Sequence, residues 1–213
     1  MGTFVTLAEV LEARGSPLEE DEVWLNSMSF VLLSGPGNMC SVLSPGSMLL
    51  SASGNLAFKS CARSGDLGSF TAPEVQDGHA ASNRTASEKM VVYSLGMTLY
   101  WSVDYQLPQN QPIQLSGKLN NLLLSMCEDT VQRRADLVTV LETCDQHIKT
   151  AQLPPPEKLI KQLVEDVFRD SVSSPTFPFV YEMLILTLIH KVSALQMCFF
   201  LRDSSPNSLW TIN

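Results

Sequence analysis

The chain has 213 residues, 45% of them hydrophobic and 17% charged, which suits one globular domain with a sizeable core and some extra chain. A formal net charge of -8 argues against non-specific binding to nucleic acid or anionic lipid, since both demand a basic surface. Five cysteines (Cys40, Cys61, Cys127, Cys144, Cys198) form no CxxC pair, and no secretory leader is visible, so reduced thiols in a cytoplasmic protein are expected rather than a disulfide framework or metal cluster.

Thr6 stands before LAEVLEARG, where Leu7, Val10 and Leu11 recur at i, i+3 and i+4. That spacing predicts a helix capped by Thr6 and closed by Gly15 in the left-handed conformation. Ser16-Pro17 predicts a second helix with Pro17 in its first position. Glu19, Glu20, Asp21 and Glu22 then fall in its first turn, where carboxylates meet the positive end of the helix dipole. The same cluster has a second reading, as a contact surface for a basic peptide. From Trp24 to Leu33 the residues are apolar without a clear period, and Gly35-Pro36-Gly37 breaks the run.

Ser44 to Phe58, SPGSMLLSASGNLAF, gives a tight turn, an apolar run, a second turn at Ser53-Gly54 and another apolar run, the outline of a short β-hairpin. Cys61 to Gly68 reads as loop, FTAPEV (Phe70 to Val75) follows, and Gln76 to Ser87 is polar enough for a surface loop.

Glu88 to Val103 carries the strongest helical signal, apolar around most of its circumference and so expected at the centre of the fold. Gly96 inside it implies close backbone packing. Pro108 and Pro112 bracket an extended connection. Lys118 to Cys127, Asp136 to Lys149 and Glu157 to Arg169 each have amphipathic spacing. The prediction is a mainly α domain over residues 1–170 with one or two short β-hairpins. Residues 171–213 form an atypical apolar tail and no independent domain. Glu182, His190 and Lys191 interrupt that tail before any run reaches the roughly 20 residues a membrane helix needs, so no direct membrane insertion is expected.

Several segments resemble parts of a protein kinase, in kinase order. SPGSMLLSASGNLAF resembles the catalytic loop and the strands after it, FTAPEV the end of the activation segment, and VVYSLGMTLYW the central helix of the C-lobe. Arg134 with ADLVTVL resembles the late segment whose arginine pairs with the glutamate of A-P-E, which implies a structural ion pair between Glu74 and Arg134. The same comparison puts Val42 where the catalytic aspartate belongs, Ser44 at the loop lysine and Ser47 at the metal-binding asparagine. Ser60, Cys61 and Ala62 replace D-F-G. Val91 replaces the helix aspartate that holds the catalytic-loop backbone, which implies that this support has gone with the chemistry. Too little chain precedes Ser44 for an N-lobe with its Gly-rich loop and strand lysine. Phosphoryl transfer rests on those groups for positioning and charge neutralisation, so no kinase activity, metal or cofactor is expected.

A C-lobe without an N-lobe resembles the KIND (kinase non-catalytic C-lobe) domain. The phrases SLGMTLYW, FTAPEV, MCED and LAEVLEARGSPLEEDEVW look most like the KIND domains that stand before FERM and PDZ domains in a non-receptor tyrosine phosphatase and a related scaffold. The resemblance runs from about Thr6 to Arg169. Between Trp24 and Ser44 the family has a longer helix, shortened here, and the apolar tail replaces the domains that would follow, as in a truncated or alternatively spliced product. The resemblance implies a non-catalytic interaction module that binds a partner peptide, at the cell cortex, cytoskeleton or junctions. Glu19, Glu20, Asp21, Glu22, Glu128 and Asp129 are the candidate contacts for a basic segment.

Two alternatives stay open. One is the regulatory fragment of a phosphatase whose catalytic domain lies elsewhere, and the other is a pseudokinase that still binds nucleotide. The chain itself has no phosphatase loop, because CARSGDL at Cys61 lacks a preceding histidine and places Arg63 at the wrong distance. His79, His147 and His190 are isolated from any triad or metal spacing, and Trp24, Tyr100 and Trp101 read as core.

Overall fold

The computed structural model describes residues 4–33, 42–59, 67–76, 84–108 and 111–171. Strand β1 (Phe4–Thr6) passes directly into helix α1 (Leu7–Arg14). Thr6 makes the change of course: its hydroxyl accepts the Glu9 N–H at 3.1 Å, and the Glu9 carboxylate accepts the Thr6 N–H at 2.6 Å. This reciprocal capping box satisfies donors that the helix start would leave open. Gly15 ends α1 at φ 64°, its N–H donating to Leu11 O. Leu7, Val10 and Leu11 are buried, as the spacing predicts.

Helix α2 spans Glu20–Leu33, so it begins three positions after the proline predicted to start it. Leu18 N–H donates to Ser102 O at 3.0 Å, which keeps the chain extended past Pro17. Glu19 then stands at the cap position, with its N–H donated to the Glu22 carboxylate at 2.7 Å. The run without a period, Trp24 to Leu33, is helical because it is covered on nearly every side. Val23, Trp24, Leu25 and Phe30 are buried, and so are Asn26, Ser27 and Ser29. The two serines return their hydroxyls to Val23 O and Leu25 O, so they need no partner outside the helix.

Strands β2 (Met48–Ser51) and β3 (Leu56–Phe58) form the expected hairpin. The sheet has a third strand, since β1 adds to the other side in the order β1-β2-β3, all antiparallel, with Val5 opposite Leu50 and Leu50 opposite Leu56. The hairpin turn needs Gly54 twice over. Its φ is 88°, and a Cβ there would lie 2.6 Å from Glu157 O, because the tip abuts helix α8 (Pro156–Ser171).

Two single-turn helices follow, α3 (Leu67–Phe70) and α4 (Pro73–Gln76), so the predicted loop gives way to helix at Leu67. Helix α5 (Arg84–Val103) starts earlier than its apolar pattern, at Arg84 rather than Glu88, so it takes in part of the expected surface loop. Helices α6 (Gly117–Met126), capped by Ser116, and α7 (Leu137–Ala151), capped by Asp136, lie between α5 and α8 in the chain. The domain is mainly helical, with one small antiparallel sheet.

Helix α5 is the central element, with Val91, Val92, Leu95 and Leu99 buried. Each such side chain contributes about 1.5–3 kcal/mol by leaving water. Gly96 lets α6 approach, since a Cβ there would meet Met126 Cβ at 2.8 Å and Cys127 Sγ at 2.9 Å. On another side α7 packs along α2, where the rings of Trp24 and His147 stack with centroids 4.2 Å apart. Helix α8 lays Ile160, Leu163, Val164 and Val167 over α1, α2 and β2. Among the described residues, no helix is long and apolar enough to cross a membrane. The tail after Ser171, Gly35-Pro36-Gly37 and the Ser60, Cys61, Ala62 triplet lie outside the described residues.

Candidate functional site

The segment that the sequence comparison likened to a catalytic loop is closed on itself. Ser47 N–H donates to Ser44 O at 2.9 Å, Ser44 N–H donates to Ser47 Oγ at 2.8 Å, and Ser47 Oγ returns its proton to Ser44 O at 3.0 Å. Pro45 O accepts the Ala8 N–H from α1, and Ser47 O accepts the Lys59 N–H beyond β3, both at 3.0 Å. Ser44 and Ser47 are buried, and Val42 is half-buried with no titratable group. The Ser47 hydroxyl and the carbonyls of Ser44, Pro45 and Ser47 are thus engaged within the fold.

Support for this loop comes from α5, one turn beyond Val91. Ser94 Oγ accepts the Leu43 N–H at 2.6 Å and donates to Leu43 O at 2.9 Å, while Thr98 Oγ1 donates to the same carbonyl at 3.3 Å. Val91 is buried and apolar. The Leu43 backbone is thus held from α5 by Ser94 and Thr98, on the turns after Val91. A neutral hydroxyl on the next turn takes both backbone groups of Leu43, which a carboxylate, as acceptor alone, could not do.

Glu74 and Arg134 are brought together from α4 and the turn before α7. Nη1 meets Oε1 at 2.7 Å and Nη2 meets Oε2 at 3.0 Å. The remaining guanidinium donors reach Glu128 O, Lys89 O and Asp129 O, and the guanidinium lies 4.9 Å from the centre of the Tyr93 ring. Burial works against the Glu74 charge, but the Arg134 hydrogen bonds outweigh it and hold the carboxyl below its ordinary value. Lys89 Nζ adds bonds to Val131 O at 2.9 Å and Arg134 O at 2.8 Å, pinning the turn that carries Glu128 and Asp129. Glu128 pairs with the exposed Arg133 at 2.8 Å. Asp129 is exposed as a residue, and its carboxyl is pushed up by partial burial and by the neighbouring Glu128 charge.

The acidic start of α2 is mostly engaged within the chain. Arg14 Nη1 contacts both Glu22 oxygens, at 2.7 and 2.6 Å, and its Nη2 reaches Glu19 at 3.2 Å. The Glu20 carboxylate accepts the Ser116 N–H at 2.9 Å, the Ser116 hydroxyl, and the Trp24 indole N–H at 3.4 Å. Burial again opposes the charge, and these bonds prevail, so the Glu20 carboxyl lies below its ordinary value. Asp21 is exposed, and so is most of the Glu19 side chain. The structure thus splits the predicted cluster into Glu20 and Glu22, which tie α2 to α6 and α1, and Glu19 and Asp21, which face water.

Among the described residues, no group of three or more metal-ligating side chains gathers. Cys127 and Cys144 are free buried thiols pushed up to about 12 by desolvation, far from a reactive thiolate.

No family model matches the chain. It is 42% identical over 172 residues, 76% of its length, to human Tyrosine-protein phosphatase non-receptor type 13. It is 43% identical over 166 residues, 75% of its length, to mouse FERM and PDZ domain-containing protein 2. A weaker likeness, 26% over 148 residues and 68% of the chain, joins it to human Kinase non-catalytic C-lobe domain-containing protein 1. The chain carries a KIND domain. It spans only 7%, 12% and 8% of the lengths of these three relatives.

Three residues that organise this KIND domain escaped the sequence reading. Ser94 and Lys89 act through backbone groups, which leave no trace in a motif. Arg14 carried a signal, since a cation in the last turn of α1 lies just ahead of four carboxylates in sequence. His147, read as isolated, stacks on Trp24, and its Nε2 is buried without a hydrogen-bond partner. Trp24 is buried as expected, while Trp101 is half-buried and lies edge-on to Tyr105.

Proposed function

We propose that this KIND domain is a non-catalytic module that holds a segment of a partner protein, as part of a cortical or cytoskeletal scaffold. The supporting observation is the turn at Ser44 to Ser47, in the segment that resembles a catalytic loop, which is closed by internal hydrogen bonds. Names of the relatives point the same way, since one is described as non-catalytic and another by its FERM and PDZ domains. The chain's negative charge favours a basic segment as the occupant. Glu19 and Asp21, with Glu128 and Asp129, are the carboxylates proposed to meet it.

Arginine- and lysine-rich peptides on an array, titrated with the full chain at several salt concentrations, test this reading. Selected peptides are expected to lose at least tenfold in affinity with Glu19→Lys combined with Asp21→Lys, or with Glu128→Lys combined with Asp129→Lys. Glu157→Lys with Glu165→Lys on α8 serves as the control and is expected to change binding far less. Equal losses in all three pairs would reduce the effect to net charge and overturn the assignment.

A further inference from the structure

We draw no further inference here: the strongest candidate, the exposed apolar side chains Leu32 and Val138 at the end of α2 and the start of α7, carries nothing because nothing in the structure shows what covers them.

Discussion

Arg134 grips Glu74 through two parallel hydrogen bonds, at 2.7 and 3.0 Å, and spends its other three N–H groups on the carbonyls of Lys89, Glu128 and Asp129. One side chain therefore ties α4, α5 and the turn before α7 together, with no donor left over. The Arg134 side chain is fully buried, while Glu74 keeps a small exposed fraction. Such a pair adds little net stability over a well-packed apolar substitute, but breaking it strands a charge and several carbonyls.

Arg134→Ala is therefore expected to cost about 3–5 kcal/mol, measured by urea unfolding. Arg134→Lys keeps the charge but not the planar fork, and is expected to recover only a minor part of that loss. Full recovery by lysine would show that charge alone matters and that the five-donor geometry does not.

Stability is expected to decline in acid, in a window set by three carboxyls. Glu74, Glu20 and Asp136 all ionise more readily in the folded chain than at their ordinary values of 4.5, 4.5 and 3.8. Their contribution is complete above those ordinary values and is lost as pH falls through the lower folded ones, because the unfolded chain takes up protons first. Glu12 and Asp129, shifted upward, act in the opposite sense and soften the decline. Urea midpoints of the wild type and Glu74→Gln are expected to differ most near pH 6 and to converge toward pH 3. A gap independent of pH would remove Glu74 from the acid limb.

Gly96→Ala tests the α5–α6 contact. In an exposed helix this change stabilises by about 1 kcal/mol. Here the new methyl would come within 2.8 Å of Met126 Cβ and 2.9 Å of Cys127 Sγ. A net loss of about 1–3 kcal/mol is expected from overpacking, seen as a lower melting temperature. A rise in melting temperature would mean the two helices stand further apart than described.

Ser94→Ala removes the partner of the buried Leu43 N–H and one of two donors to Leu43 O. The expected cost is about 1–3 kcal/mol, with faster amide exchange at Leu43 as the local signature. Ser94→Thr, which retains the hydroxyl, is expected to slow that exchange again. Undiminished protection in the alanine variant would transfer the supporting role elsewhere.

Titration with ATP and magnesium is expected to leave the melting temperature unchanged, since a ligand that binds only the folded state must raise it. A concentration-dependent rise would show that the turn at Ser44 to Ser47 opens to a nucleotide, and the closed-loop account would fail.

Local signals in the sequence carried most of the helical layout. Thr6 and Gly15 bound α1 as their spacing predicts, and the amphipathic ranges from Lys118 and Asp136 match α6 and α7 to within a residue or two, because caps and spacing act within a few residues. Glu74 and Arg134 were legible through the order of segments along a kinase-like chain. What escaped depended on distant partners. Strand β1 has three residues and no alternating pattern long enough to notice, and it exists because β2 lies beside it. Pro17 favours the first turn of a helix, but Leu18 N–H donates to Ser102 O and α2 begins only at Glu20. The acidic cluster looked uniform in sequence, and Arg14 and Ser116 divided it.

The hairpin has its own lesson for folding order. Strand β2 takes β1 on one side and β3 on the other, and the hairpin tip fits under Glu157 and Lys161 of α8. Its neighbours thus come from both ends of the domain, which makes the sheet a high-contact-order structure in a mostly helical chain. During synthesis, β1 can join β2 early, but the hairpin cannot be capped until α8 has been made. Until then the nascent chain carries apolar surface that α8 will later cover, the kind of exposure that makes partly folded chains prone to aggregate.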